Sequence, residues 1–270
     1  ILIRLLASHP THVKELVKQK SISYEGWVDA SYWGVGDVWF SADEDLEPFV
    51  WFVEWNEEIQ AKLISDDNPN GTISISDLEL AGILFEFLVL EDVLPIGALK
   101  HKSVNIWCDN IPAVAWTRKL RTSTSTIAAR LLRALAVRLH KTQSSLIGVD
   151  HIPGIYNVMA DVASRQHATN HKSFLIDFTS TFPPPQGNFW RGLQLHERRI
   201  WKIFSILLER PSTMESWRQL SRSGKHIGII GRIRSPSMPL TSASSSSETQ
   251  LETNNYQEEN KSTSWRPTDT

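Results

Sequence analysis

At 270 residues and 41% hydrophobic content, the chain can bury one sizeable core and at most a smaller second one. A single cysteine, Cys108, excludes an intrachain disulfide framework and a cysteine-rich zinc site, and fits a reducing intracellular compartment, cytoplasm or nucleus, rather than secretion. The formal net charge of −2 argues neither for nor against a polyanionic partner, but the charges are unevenly spread. Ser41 to Asp67 holds nine acidic residues against Lys62 alone, and Leu99 to Lys141 holds nine Lys or Arg against Asp109 alone. A basic segment around one isolated carboxylate suits an anionic substrate brought to a metal; two solvated surfaces of opposite sign fit the charges equally well.

In chain order, the opening from Ile1 to Ser8 is apolar but short and lacks a cleavage-like site. With no initiating Met, residues 1–23 read as a linker that follows a preceding domain. Tyr24 to Phe40, rich in aromatic and β-branched residues, reads as two adjoining strands, and Phe49 to Ile64 as one or two more. The run Asp66 to Gly71 is a loop. A helix follows, with Ser76 as N-cap and Leu78, Ala81, Leu84 and Leu88 at three- and four-residue steps. The apolar stretch Leu78 to Leu99 is broken by Glu79, Glu86, Glu91, Asp92 and Pro95, so no membrane span is expected.

Val104 to Cys108 reads as a strand, and Asn110 followed by Pro112 opens another helix. From Thr126 to Lys141, Ile127, Leu131, Leu135 and Leu139 form an apolar stripe opposite Arg130, Arg133 and Lys141. Leu146 to His151 is a strand, Pro153-Gly154 a turn, and Asn157 to Arg165 the start of a last helix. This succession describes an α/β layer with a mixed sheet covered by helices. Residues 169–234 read as a helical extension of unknown role, with a helix from Trp190 to Arg210 stopped by Pro211. Residues 235–270, rich in Ser, Thr, Asn, Gln, Glu and Pro, read as a disordered tail.

Four carboxylates stand out, and each has two readings. Hydrolysis of a phosphodiester by two cations needs several hard oxygen ligands converging on one place, which Asp and Glu supply. Asp29 lies inside the apolar run Trp27 to Ala30, where it is either a buried ligand or an outward-facing alternate residue. Asp109 follows an apolar strand, and with Asn110 it also fits a helix cap. Glu79 fits a capping box with Ser76, and Asp161 fits the first turn of a helix whatever its chemistry.

The contexts together decide between these readings. GWVDAS, ISDLELAGIL, VNIWCDNIPAVAW and HIPGIYNVMADVASR occur in that order. Over about Tyr24 to Arg165 the chain resembles the ribonuclease H domains of retrotransposons, of the DIRS-like or long-terminal-repeat groups, and the last of these strings is the most specific. The resemblance implies a five-stranded mixed sheet with helices on both faces, spanning residues 24–168. It implies cleavage of the RNA strand of an RNA–DNA hybrid by two Mg²⁺ ions, or Mn²⁺, held by Asp29, Glu79, Asp109 and Asp161. It also implies a reverse transcriptase domain in the same polyprotein. His151, ten residues before Asp161, stands where the family has a histidine that assists proton transfer or product release; a packed residue ending a strand is its other reading. Asn157 is expected to cap the last helix, contact of its amide with substrate being its other reading, and Arg165 either contacts phosphate or is a solvated helix end.

Arg118, Lys119, Arg121, Arg130 and Arg133 are the expected backbone contacts to the hybrid, giving sequence-independent binding. The tryptophans mostly lie in strand or helix patterns and read as core, with no base-stacking role. Two rival functions share the fold. An integrase-type nuclease has two aspartates followed by a helical glutamate, whereas here the glutamate comes second. An inactive connection or scaffold domain of a polyprotein is opposed by the presence of all four carboxylates.

Overall fold

The computed structural model describes residues 22–42, 47–100, 102–122, 124–143, 145–166, 171–184, 190–193 and 195–210. The expected tail over 235–270 and residues 1–21 of the expected linker lie outside them. Strands β1 (Tyr24–Ala30), β2 (Gly34–Ser41) and β3 (Phe49–Glu54) run antiparallel to one another in sequence. Strands β4 (Ser103–Cys108) and β5 (Ser145–His151) add in parallel on the other side of β1. A two-residue strand β6 (Arg191–Gly192) pairs in parallel with β3, so the sheet order is β5-β4-β1-β2-β3-β6. The expected mixed α/β sheet is therefore present, with six strands where five were expected. Five of them are the expected ones, and the sixth comes from the segment beyond residue 169.

The helices are α1 (Glu57–Ala61), α2 (Ile75–Val93), α3 (Ile111–Lys119), α4 (Thr126–Thr142), α5 (Val158–Ser164), α6 (His171–Thr181) and α7 (Glu197–Leu207). Side chains alternate across a strand, which settles the two faces. A Cβ on Gly82 of α2 would stand 2.7 Å from Val28 and 2.9 Å from Val35, so α2 covers that face. Gly36, adjacent to Val35, points the opposite way, and a Cβ there would lie 2.3 Å from the Ala163 backbone of α5. Glycine at 36 thus lets α5 rest directly on β2. With both faces covered, Gly34 to Trp39 are buried without a break.

The helix boundaries follow from their caps. Ser74, rather than Ser76, caps α2: its hydroxyl accepts from the Asp77 amide at 3.2 Å, and Asp77 accepts from the Ser74 amide at 2.9 Å. Ser125 caps α4, accepting from Ala128 N at 3.0 Å, and its hydroxyl donates to Asp77 at 2.6 Å, which ties the starts of the two helices together. Asn110 caps α3 and accepts from Ala113 N at 3.0 Å, as its sequence position indicates.

Two segments depart from expectation. The second half of Phe49 to Ile64 is the short helix α1, because Asn56 accepts from Ile59 N and Glu57 and Glu58 favour a first helical turn. Trp190 to Arg210 is not one helix: Arg191–Gly192 pair with the sheet edge, and α7 starts only after His196. On α7, Ile200, Ile203, Phe204 and Leu207 are buried, and Phe204 meets Trp55 with ring centroids 5.8 Å apart. Arg199 pairs with Glu91 at 2.8 Å and Asp92 at 2.5 Å, and Arg138 reaches the same Glu91 at 3.2 Å. On α6, Phe174 packs edge-on against Phe52 of β3, at 5.2 Å. The described part of the 169–234 extension therefore contributes to the same core as the sheet.

Candidate active site

Asp29 sits next to the end of β1, and Asp109 follows the last residue of the parallel neighbour β4. Asp29 lies opposite Gly36, on the face that α5 covers, which places α5 and its Asp161 on the same side. Ser164 of α5 donates its hydroxyl to Asp29 at 2.6 Å. Glu79, in the second turn of α2, accepts from the Ala30 amide at 3.2 Å, at the end of the strand that carries Asp29. Since Ser74 and Asp77 supply the capping box, Glu79 has no part in it and its carboxylate turns toward β1 and β4. Asp109 is likewise relieved of capping by Asn110.

The electrostatics show that these four side chains share one region. Burial pushes the Asp29 carboxyl up to about 6; the Ser164 bond pulls it down, and Asp109 and Asp161 push it further up. Burial also drives Glu79 well above the usual carboxylate range, with Asp29 and Asp109 adding to the rise. Asp109 is raised by burial and by Asp161, while the neighbouring His151 works the other way. Arg165 donates to Asp161 from Nε at 2.8 Å and from a terminal nitrogen at 2.5 Å, and its charge also reaches Asp29 and Asp109. Four carboxylates with one adjacent guanidinium form a site whose repulsion a divalent cation would relieve.

One oxygen each of Glu79 and Asp109 and the Cys108 sulfur lie within 4.8 Å of one another. Cys108 is fully buried, its thiol is raised well above its ordinary range by burial and by Glu79, and it donates weakly to Glu79 at 3.6 Å. A protonated thiol is not a ligand, and hard cations take oxygen, so the donor set that fits a metal here is the carboxylates.

His151 closes β5 opposite Cys108, with its side chain exposed. Arg165 is an exposed residue at the end of α5, and it also pairs with Asp161. Asn157 makes no side-chain cap; its amide donates to Val28 O at 2.8 Å. Neither bond was visible beforehand, although both residues belong to the HIPGIYNVMADVASR string, as does Ser164. The expected cationic contacts are placed differently. Arg118 is bound to β5, donating to Val149 O at 2.8 Å and pairing with Asp150, and Arg130 pairs with Glu209 at 3.4 Å. Lys119, Arg121 and Arg133 are exposed. Among the described residues none of the five bonds or ion-pairs with the four carboxylates. No described helix is long and apolar enough to cross a membrane.

No protein-family model matches the chain, and no curated protein does. Among solved structures it is similar to the N-terminal RNase H domain of rv2228c from Mycobacterium tuberculosis, solved as a fusion with maltose-binding protein. The identity is 13%, over 53% of this chain and 94% of that one, with a TM-score of 0.35. It is also similar to LC11-RNase H1 in complex with an RNA/DNA hybrid, at 14% identity over 51% of this chain and 91% of that one, with a TM-score of 0.33.

Proposed function

We propose that this domain hydrolyses the RNA strand of RNA–DNA hybrids, with two Mg²⁺ ions, or Mn²⁺, held by Asp29, Glu79, Asp109 and Asp161. The observation that carries the reading is the gathering of four acids, far apart in sequence, into one partly buried region, with the capping roles open to Glu79 and Asp109 taken by Ser74 with Asp77 and by Asn110. Bound divalent cations would activate a water for attack and stabilise the leaving oxygen. The chain's own groups do the rest. Ser164 orients Asp29, and the Ala30 amide holds Glu79. Arg165 neutralises Asp161 in the metal-free protein and is close enough to the cluster to turn to a phosphate instead. His151 would carry a proton to or from the product, a role supported by its exposure and its electrostatic contact with Asp109. Lys119, Arg121 and Arg133, with Arg118 and Arg130 released from their surface pairs, are the cations available to the hybrid's phosphates.

The order of the acids and the motif strings favour a domain of a retrotransposon polyprotein, working inside the cell beside a reverse transcriptase. Transcript mapping across Ile1 tests that context: a reading frame running upstream into a reverse transcriptase supports it, and a start codon directly before Ile1 opposes it. The activity is tested with the full chain, a labelled RNA–DNA hybrid and Mg²⁺ or Mn²⁺, beside Asp109→Asn and duplex DNA. Cleavage of the RNA strand that is absent from the variant and from the DNA control is the expected result. A folded protein that binds hybrid and cuts nothing with either ion would make this a scaffold domain.

A further inference from the structure

Nine of the eleven tryptophans fall among the described residues, and Trp33 alone of these is exposed, at 42%. Of the described tyrosines Tyr32 and Tyr156 are exposed, at 44% and 60%, and no described phenylalanine is. Every exposed Phe, Trp or Tyr side chain in the described chain thus belongs to two short loops, and both loops adjoin the carboxylates. Tyr32 and Trp33 form the β1–β2 turn, and three residues of chain keep the Tyr32 Cα within about 11 Å of that of Asp29. Tyr156 lies two residues after Gly154, where an added Cβ would stand 2.9 Å from an Asp109 oxygen.

Both loops are fixed at their bases and project their tips. Ser31 donates its hydroxyl to Ser164 O at 2.8 Å and accepts from the amides of Trp33 and Gly34 at 3.1 and 3.3 Å. The Tyr32 and Trp33 rings meet edge-to-face at 5.0 Å, each holding the other in place. The second loop is a single 3₁₀ turn, Gly154–Tyr156, closed by Asn157, which is buried and bonded to Val28. Exposed Ile155 lies in the same turn.

Resting on the hybrid-cleaving function, we propose that Tyr32, Trp33 and Tyr156 hold the substrate strand by its ribose faces beside the carboxylates. Charge favours this occupant. The surroundings are acidic, and the adjacent guanidinium, Arg165, is engaged by Asp161, so phosphates gain little here before metal binds. Aromatic faces need no counter-charge, and the shallow minor groove of an A-like duplex exposes ribose faces to them. Rigid rings on anchored loops also lose little conformational entropy on contact.

The test measures binding of a labelled RNA–DNA hybrid to the full chain in the cleavage-blocked Asp109→Asn background with Mg²⁺, across a salt series. Tyr32→Ala and Tyr156→Ala are compared with Tyr32→Phe and Tyr156→Phe, and thermal unfolding confirms that each variant is folded. Each alanine variant is expected to weaken binding about tenfold. The salt slope should stay unchanged, because no phosphate contact is lost. The phenylalanine variants should bind like the parent. Alanine variants that bind as tightly as the parent, or a phenylalanine variant as weak as alanine, would overturn the role of the rings while leaving the hybrid-cleaving function standing. If the parent protein itself binds no hybrid, both fail.

Discussion

The side-chain amide of Asn157 donates to the carbonyl oxygen of Val28, joining the base of the helix that carries Asp161 to the strand that carries Asp29. Asn157 is 1% exposed, so neither group has water as an alternative partner. Removing the donor takes away one buried hydrogen bond between the two elements, which costs about 0.5–1.5 kcal/mol. Asn157→Ala and Asn157→Asp should both lower the unfolding free energy by that amount in denaturant titration, aspartate at least as much because its carboxylate cannot donate. Wild-type stability in both would mean that the bond contributes nothing.

Cutting the chain after residue 170 removes α6, β6 and α7. Phe52 and Trp55 lose the ring contacts from Phe174 and Phe204, the β3 edge loses its partner, and Glu91 loses Arg199. Leaving several large apolar side chains uncovered costs well over the few kcal/mol that separate folded from unfolded domains. A chain ending at 170 should therefore lack a cooperative thermal transition and bind a hydrophobic dye, while one ending at 210 should melt cooperatively. A sharp transition in the shorter chain would show that the extension is dispensable.

The central sheet was legible because its strands carry dense β-branched and aromatic runs, and the four acids were picked out by the motif strings around them, since each alone also fits a cap, a helix start or an outward-facing strand position. The sixth strand was not: Arg191–Gly192 is too short to carry any periodicity and is defined by the edge it meets. The role of Glu79 was obscured by a capping pattern that fits Ser76 to Glu79 as well as Ser74 to Asp77. Packing chose the earlier pair, since Asp77 also receives Ser125 from the next helix. Asn157 and Ser164 could be quoted as motif letters, but their partners, Val28 and Asp29, are more than a hundred residues away, and no local rule reaches them.

Metal and stability should be linked. In the metal-free protein Asp29 is a mostly buried acid whose neighbours Asp109 and Asp161 disfavour its charge. Asp29→Asn removes that repulsion and should stabilise the metal-free protein at pH 7.5 by on the order of 1 kcal/mol. Saturating Mg²⁺ should raise the unfolding temperature of the wild type, since a ligand at 100 times its Kd adds roughly 2.7 kcal/mol. The variant should gain much less. Equal gains in both proteins would remove Asp29 from the metal set.

A second acidic pair lies away from the site and has no cation beside it among the described groups that shift it. Asp37 on β2 and Glu86 on α2 are both fully buried. Asp37 accepts from the Trp51 indole at 2.8 Å, while both Glu86 oxygens lack a partner. Burial drives both carboxyls well above their ordinary range, Asp37 adds to the rise at Glu86, and the Trp51, Trp27, Val38 and Trp39 donors pull Asp37 back only in part. In the folded protein the pair therefore keeps protons that the unfolded chain releases near pH 4. Between that pH and the raised folded values the native state binds more protons, so stability falls as pH rises. Glu86→Gln cannot ionise and should lose the Glu86 share of that fall while Asp37 keeps its own, gaining about 1–3 kcal/mol over the wild type at pH 8 and less near pH 5. Denaturant titrations at the two pH values measure the difference, and a gain that does not depend on pH would mean that Glu86 is not the group losing its proton.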